Sequence, residues 1–155
     1  MNGVEAEVQA LPMTLIHSYQ EPEDFEDDAL IVVLAEAVSG KRASPQEIEK
    51  EQNSIVQEIM MSAAPTVISK ESRLYEFRWP QFISFSVMDE LRGCRDLGVH
   101  TGRWFQRFSE SPLLDYARSS LFLFDDRPLI HTRVLAIDRI VDVVAEMEPS
   151  IQRVR

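Results

Sequence analysis

Three histidines and one cysteine are the side chains of this 155-residue chain best suited to proton transfer, nucleophilic attack or metal binding. They are His17, Cys94, His100 and His131, and they lie far apart in the sequence. There is no His-Glu-x-x-His motif, no Cys-x-x-Cys motif and no glycine-rich phosphate-binding motif. A metal site would therefore have to be assembled by the fold alone. The sequence therefore predicts neither a metal site nor a cofactor, and it assigns no catalytic residue.

Two groupings of residues would perform catalysis only if the fold closed them into a pocket. Cys94 and His100 could act as a nucleophile and its base, which requires a hydrogen bond between them. Glu90 and His131 could lie at the cleft of a small hydrolase or ligand-binding enzyme. Inert thiols and solvated carboxylates are more common than catalytic ones, so an enzyme ranks third among the functions considered.

Acidic residues dominate the first part of the chain. The sequence has 16 basic and 26 acidic residues, a net charge of −10. Residues 1–60 contain thirteen acidic and three basic residues, whereas residues 61–155 contain thirteen of each kind. The densest acidic run includes four candidate binding residues, Glu23, Asp24, Glu26 and Asp27. Such a surface attracts cationic partners.

The charge distribution favours a non-catalytic protein-binding module, immunity-like or inhibitor-like, that meets a basic protein partner through an acidic N-terminal face. A homo-oligomeric structural module is the alternative, with Ile48, Ile55 and Ile59 as the seam of a homodimer. Arg103 and Trp104 are weaker binding candidates, because arginine beside an aromatic ring can stack on a nucleic-acid base. The net negative charge nevertheless predicts no nucleic-acid partner.

The composition also indicates a compartment. A single cysteine allows no intrachain disulfide, and the first ten residues contain no Lys or Arg of a secretion signal. No apolar run approaches the roughly 20 residues that cross a membrane. The sequence therefore predicts a cytoplasmic protein without a membrane partner.

The spacing of apolar residues predicts an α+β fold. Two N-terminal helices are expected to pack on an antiparallel sheet of about four or five strands, with one further short helix. Residues 1–28 are interpreted as an acidic, extended lead. Residues 29–155 are interpreted as one domain, with a helical part at 29–62 and a β-rich part at 65–155.

The two expected N-terminal helices rest on different signals. The apolar run at 30–34 fits a buried helix or a core strand, and its flanking Ala residues, Glu36 and Gly40 favour a helix. Residues 44–47, Ser-Pro-Gln-Glu, form a capping box with proline at the first helical position. This second helix is expected to end before Pro65 and to bury Ile55 and Ile59.

The β-rich part shows alternating apolar and polar residues. The pattern predicts strands at 74–79 and 83–88, which are either two antiparallel strands or one long strand bent at Pro80. It also predicts a strand at 103–109, a helix at 112–121, and two short strands within 130–142. These last strands are expected to break near Asp138, although a helix at 138–146 is an alternative.

The second half of the chain resembles a group of small, uncharacterised bacterial proteins. The similar residues are Tyr-Glu-Phe-Arg-Trp-Pro-Gln-Phe-Ile-Ser-Phe-Ser-Val-Met-Asp-Glu at 75–90, Ser-Pro-Leu-Leu-Asp-Tyr at 111–116, Ile-His at 130–131 and Asp-Arg-Ile-Val-Asp-Val at 138–143. The resemblance extends over roughly residues 74–151, about half of the chain. The sequence departs from the group at Thr132, where tyrosine is usual. The resemblance implies a folded bacterial domain and assigns no activity.

Overall fold

The fold is dominated by β-sheets. The structure is a computed structural model that describes residues 3–22, 29–89, 98–120 and 128–155. These described residues form eleven strands and four short helices. The strands build sheets of four, five and two strands, with orders β1-β2-β5-β11, β6-β10-β9-β8-β7 and β3-β4. The expected fold, two N-terminal helices on a single sheet, is therefore wrong.

The bounds of the elements follow in chain order. The helices are α1 (Gly3–Gln9), α2 (Pro45–Lys50), α3 (Ser54–Ser62) and α4 (Pro112–Ser120). The strands are β1 (Thr14–Gln20), β2 (Leu30–Glu36), β3 (Val38–Ser39), β4 (Thr66–Val67), β5 (Leu74–Trp79), β6 (Phe82–Asp89), β7 (Val99–Thr101), β8 (Phe105–Glu110), β9 (Ile130–Leu135), β10 (Arg139–Ala145) and β11 (Ser150–Arg153).

Residues 30–36 form strand β2, so the helix expected there is wrong. β2 pairs with β1 along one edge and with β5 along the other, both antiparallel. Leu30, Val32 and Leu34 are fully buried, and the residues between them are partly covered. A central strand that is covered along its whole length reads as a continuous apolar run, which hides the period of two.

The main core lies between the four-stranded and the five-stranded sheets. The rings of Phe77 on β5 and Phe105 on β8 have centroids 5.2 Å apart. The indole N–H of Trp79 donates a hydrogen bond to Thr132 Oγ1 on β9 at 3.0 Å. Val134, Val141 and Val143 belong to the same buried cluster as the apolar residues of β2 and β5. The two sheets thus pack face to face as two layers.

Residues 37–73 form an arm that leaves the four-stranded sheet between the paired strands β2 and β5. Strands β3 and β4 pair at its base. Arg73 and Glu36 close the root of the arm, since Arg73 Nε and Nη2 donate to the two Glu36 carboxylate oxygens at 2.9 Å each. Helices α2 and α3 lie in the outer part of the arm.

The helix expected after Ser44 is present but divided. The capping box is confirmed, with Ser44 N donating to Glu47 Oε2 at 2.7 Å. The chain leaves helical geometry at Glu51, and Asn53 caps α3 by accepting from Ile55 N at 3.0 Å. Ile55 and Ile59 are 67% and 57% exposed, so their expected burial is wrong.

The first residues that the structure describes are anchored to the five-stranded sheet. Val8 and Leu11 are fully buried in the main core. The buried carboxylate of Glu5 on α1 accepts hydrogen bonds from Arg107 on β8 at 2.6 and 3.0 Å. These contacts place α1 against the end of the sandwich.

Helix α4 covers part of the outer face of the five-stranded sheet. Leu114 and Ala117 are buried against Leu129 and Val144 in a second, smaller apolar cluster. This helix agrees with the one expected from the sequence at 112–121, of which residue 121 lies outside the described residues. The strands expected within 130–142 are also present as β9 and β10, so the alternative helix at 138–146 is wrong.

Candidate functional site

A row of polar side chains crosses the outer face of the five-stranded sheet. In the strand register Gln106 lies opposite Arg133, Arg133 opposite Asp142, and Asp142 opposite Ser86. The row therefore runs through β8, β9, β10 and β6. Because side chains alternate between the two faces of a strand, Val134, Val141 and Val143 point to the apolar core on the other side. The five-stranded sheet thus has one dry face and one polar face.

Three side chains on this face form a continuous chain of hydrogen bonds. Ser111 Oγ lies 2.8 Å from His131 Nδ1, and His131 Nε2 lies 2.8 Å from Asp142 Oδ1. We call these three residues the relay. Ser111, His131 and Asp142 are 6%, 3% and 2% exposed, so the whole relay is withdrawn from bulk water.

Arg133 completes the contacts of the Asp142 carboxylate. Its Nε donates to Asp142 Oδ1 at 2.7 Å, and its Nη2 donates to Oδ2 at 3.3 Å. Burial by itself raises the pKa of Asp142, but the hydrogen bonds from His131 and Arg133 and the charge of Arg133 outweigh it and hold the pKa below its ordinary value. Asp142 is therefore an ionised carboxylate at neutral pH.

The ionisation of Asp142 decides the direction of the hydrogen bonds. An ionised carboxylate only accepts, so His131 Nε2 must be the donor in the bond to Asp142. In the neutral imidazole the other nitrogen, Nδ1, is then an acceptor. With His131 in this neutral form, Ser111 donates its hydroxyl proton to Nδ1.

Local structure fixes Ser111 and His131 of the relay. Ser111 precedes α4 and caps it, because its Oγ accepts the N–H of Leu114 at 3.1 Å. The ring of His131 stacks on that of Phe108, with centroids 4.2 Å apart and planes at 13°. The guanidinium of Arg133 lies 4.9 Å from the centre of the same phenyl ring. Phe108 therefore holds His131 in one orientation.

A cavity of about 250 Å³ lies beside the relay. We call it the cleft. Its walls include the apolar residues Met88, Phe108, Pro112 and Leu113, and its polar side includes Ser86, Arg133 and the relay. The remaining wall is Gly98, whose lack of a side chain lets the chain pass close to Phe108. The cleft brings a hydroxyl, an imidazole and apolar surface to one place.

The structure places the residues expected from the sequence in different regions. His131 is central to the cleft. Trp104 does not line the cleft. Its buried indole N–H donates a hydrogen bond to Leu11 O at 2.7 Å and so anchors the segment after α1. Arg103 stacks on Trp104 at 4.5 Å and does not line the cleft. The other candidates lie outside the described residues: Glu23, Asp24, Glu26, Asp27, Glu90 and Cys94.

Two residues of the relay were not among the candidate site residues. In the sequence Ser111 directly precedes the helix expected at 112–121, and Asp142 ends the segment expected to form two short strands. Asp142 pairs with Arg133, but its contact with His131 joins residues eleven positions apart on two strands. The available signal is the alternation within each segment, with His131 and Arg133 two positions apart and Asp142 between two valines.

Several acidic residues of the first part are paired with arginines of the second. Glu5 lies 2.6 Å from Arg107, Glu36 lies 2.9 Å from Arg73, and Glu7 lies 3.7 Å from Arg153. Each of these pairs weakens the field that residues 1–60 project into solvent. The expected acidic docking face therefore loses support among the described residues.

Comparisons with family models, curated proteins and solved structures return no match. Within the described residues, each helix is too short or too polar to cross a bilayer. The fold and the cleft are thus the observations from which a function has to be argued.

Proposed function

We propose that this chain binds a small molecule in the cleft beside Ser111, His131 and Asp142. The supporting observation is the combination of apolar walls with a few fixed polar groups in one concave site. Small-molecule sites in proteins typically have this composition, in which apolar surface provides affinity and a few polar groups provide orientation. Phe108 and Leu113 would contact the body of the ligand, and the Ser111–His131 pair its polar end.

The size of the cleft limits the ligand. Its volume of about 250 Å³ is below the range of about 300–1,000 Å³ typical of drug-sized ligands. The ligand is therefore a compact molecule with an apolar part and one hydrogen-bonding end. The Arg133 guanidinium is held by Asp142, so a strongly acidic group on the ligand would have to compete with that ion pair.

A screen of compact esters, amides, ketones and alcohols by ligand-observed NMR tests this function. Leu113→Trp places a large ring in the cleft and is expected to weaken binding of any hit at least tenfold. Ser119→Trp is the matched control, since it adds the same ring to an exposed position of α4. Binding that is unchanged by Leu113→Trp, or a screen without hits, would contradict the proposal.

Self-association through the arm is a second candidate function. Ile55 and Ile59 are exposed on the same side of α3, and neither α2 nor α3, both fully described, contains a buried residue. Helices of six and nine residues are marginal without tertiary packing. A second copy of the arm would provide such packing.

Sedimentation velocity tests this second function. The wild type is expected to form a dimer as its concentration rises, and Ile59→Glu is expected to shift it to the monomer. Glu58→Gln is the control, because it changes an exposed polar residue of the same helix. A wild type that stays monomeric at high concentration would rule out self-association.

A further inference from the structure

We propose that Ser111 is a nucleophile and that the cleft hydrolyses small carboxylic esters. This inference rests on the proposed function, because the ester must occupy the cleft that binds the small molecule. It names Ser111 as the attacking group, His131 as its base and Asp142 as the residue that positions the base. The arguments come from the direction of the hydrogen bonds, the surroundings of the relay and the shape of the cleft.

The direction of the hydrogen bonds prepares Ser111 for attack. Its Oγ lies 2.8 Å from His131 Nδ1, to which the hydroxyl donates when the imidazole is neutral, and one lone pair of Oγ accepts the N–H of Leu114. One lone pair is then left for a bond to carbon. A nucleophile within hydrogen-bond reach of a base, with the base oriented by a third group, is the arrangement that acyl transfer requires.

The surroundings of the relay keep this geometry fixed. His131 lies on the central strand β9 and is stacked on Phe108, so its ring cannot turn away from Ser111. The three residues are almost fully buried, yet all three line the cleft. An ester in the cleft would therefore meet the Ser111 hydroxyl in a site with little water, where charge interactions are stronger than in bulk solvent.

Two features distinguish the relay from the Ser-His-Asp triad of the well-known serine proteases. Here Nδ1 faces the serine and Nε2 faces the aspartate, the reverse of the arrangement in those enzymes. Arg133 also shares the Asp142 carboxylate, which weakens the stabilisation of a protonated His131. Both features predict slow turnover and an acyl-enzyme that persists.

The chemical step proceeds in two halves. Ser111 Oγ forms a bond to the acyl carbon while its proton moves to His131 Nδ1. The bond from the acyl carbon to the alcohol oxygen breaks, and the alcohol takes that proton from His131. Water then attacks the acyl-serine, gives one proton to His131, and Ser111 leaves with that proton restored. The products are one carboxylic acid and one alcohol.

The cleft restricts the substrate class. Met88, Phe108 and Leu113 provide an apolar wall for a short acyl or alkyl group. The cavity of about 250 Å³ accommodates a small group, so the part of the substrate inside it is compact. Uncharged esters of short carboxylic acids fit both the volume and the walls.

Labelling with an ethyl fluorophosphonate probe tests the inference directly. In this reaction Ser111 Oγ bonds to phosphorus, fluoride leaves, and the hydroxyl proton is taken up by His131. Peptide mass spectrometry of the intact wild-type chain is expected to locate one adduct, on Ser111. Ser111→Ala is expected to abolish it, and Ser119→Ala, on the exposed side of α4, is expected to leave it unchanged.

His131→Gln tests whether the relay, and not exposure alone, activates Ser111. This variant is expected to reduce the labelling rate at Ser111 at least 100-fold, and wild-type hydrolysis of p-nitrophenyl acetate is expected to show a burst of about one product per chain. Circular dichroism of each variant verifies that it is folded. A folded His131→Gln that is labelled as fast as the wild type would overturn the role of the relay.

The outcomes also separate this inference from the proposed function. If compact molecules bind and Leu113→Trp blocks them, but Ser111 takes no label, the cleft is a binding site without catalysis and only the inference fails. If no compact molecule binds and Ser111 takes no label, both fail. Labelling that Leu113→Trp does not reduce would place the reaction outside the cleft and would also overturn the inference.

Discussion

Asp142 is the residue that holds the polar side chains of the cleft in position. Its carboxylate accepts from both His131 and Arg133, and so it joins the relay to the polar row of the sheet. A buried carboxylate with such partners cannot lose its charge without leaving a cation uncompensated. The same contacts that orient His131 therefore also contribute to the stability of the fold.

Asp142→Asn is expected to destabilise the protein by about 3 kcal/mol or more, because it removes the charged partner of a buried, hydrogen-bonded ion pair with Arg133. Urea unfolding at neutral pH measures the change. Asp115→Asn is the matched control, since Asp115 only forms an exposed pair with Arg118 at 4.0 Å, and its loss should cost less than about 0.5 kcal/mol. An equal effect of the two substitutions would show that the Asp142 pair contributes nothing.

The effect of Asp142→Asn should also depend on pH. The folded protein holds the pKa of Asp142 below the value of about 3.9 for an unfolded chain. Its contribution to stability is therefore fully present above the unfolded pKa and is lost as the pH falls through the folded pKa. Urea unfolding is expected to show a constant difference between wild type and variant from about pH 7 to about pH 5, and a difference that shrinks as the pH falls below about 4. A difference that does not shrink below about pH 4 would refute this linkage.

Gly98 allows the close approach that shapes the cleft. A Cβ at this position would lie 2.8 Å from Phe108 Cδ1 and 2.5 Å from the carbonyl oxygen of Glu110. Gly98→Ala should therefore displace the phenyl ring on which His131 stacks, destabilise the fold by about 1–3 kcal/mol and weaken ligand binding. Gly3→Ala, at which a Cβ meets nothing, is the control. Urea unfolding and NMR titration give the two readouts.

Among the secondary-structure elements, α1 is held in place by an ion pair as well as by its buried apolar side chains. Glu5→Gln would weaken the contact with Arg107 and should destabilise the docked α1 by about 1–3 kcal/mol. Hydrogen exchange of the α1 amides is expected to speed up. Glu7→Gln should change exchange much less, because its amide oxygen can still accept from Tyr75 and its ion pair with Arg153 is exposed, at 3.7 Å. Equal exchange in the two variants would contradict this anchoring.

Local signals predicted some elements well and others poorly. The capping box at Ser44 and the alternation at 74–79 each specify backbone geometry within a few residues, and both predictions are confirmed. The pattern at β2 favours a helix because the strand carries apolar residues on both of its faces, so no alternation of polarity marks it as a strand. Nothing local shows that β5 and β6, separated by two residues, join different sheets.

The candidate site shows the same limit. His131 could be singled out by its chemistry, since few side chains transfer protons near neutral pH. Its partners could not, because Ser111 and Asp142 meet it through the pairing of β9 with β8 and β10. A serine before a helix and an aspartate in a strand each have a local explanation. Only the strand register shows that they face one imidazole.

At the scale of the molecule, the apolar core lies between two sheets and excludes the arm. Phe77→Ala is therefore expected to cost about 3–5 kcal/mol in urea unfolding, because it opens a cavity between the sheets. Ile59→Ala, measured in the same way on dilute protein, should change stability by less than about 0.5 kcal/mol because its side chain is exposed. A large loss from Ile59→Ala would show that α3 is packed in the monomer.

The arm is held at its root, where Arg155 also donates to the backbone oxygens of Ser72 and Ser69 at 2.9 and 3.1 Å. Its two ends meet where Glu36 and Arg73 clasp each other, so the chain returns to nearly the point from which it departed. An insertion of this kind can change in length and sequence while the strands of the two packed sheets keep their pairing register. The cleft, built on the outer face of the other sheet, would remain intact in a molecule whose arm had been replaced by a short turn. Self-association through the arm and small-molecule binding in the cleft would then be free to change independently of each other.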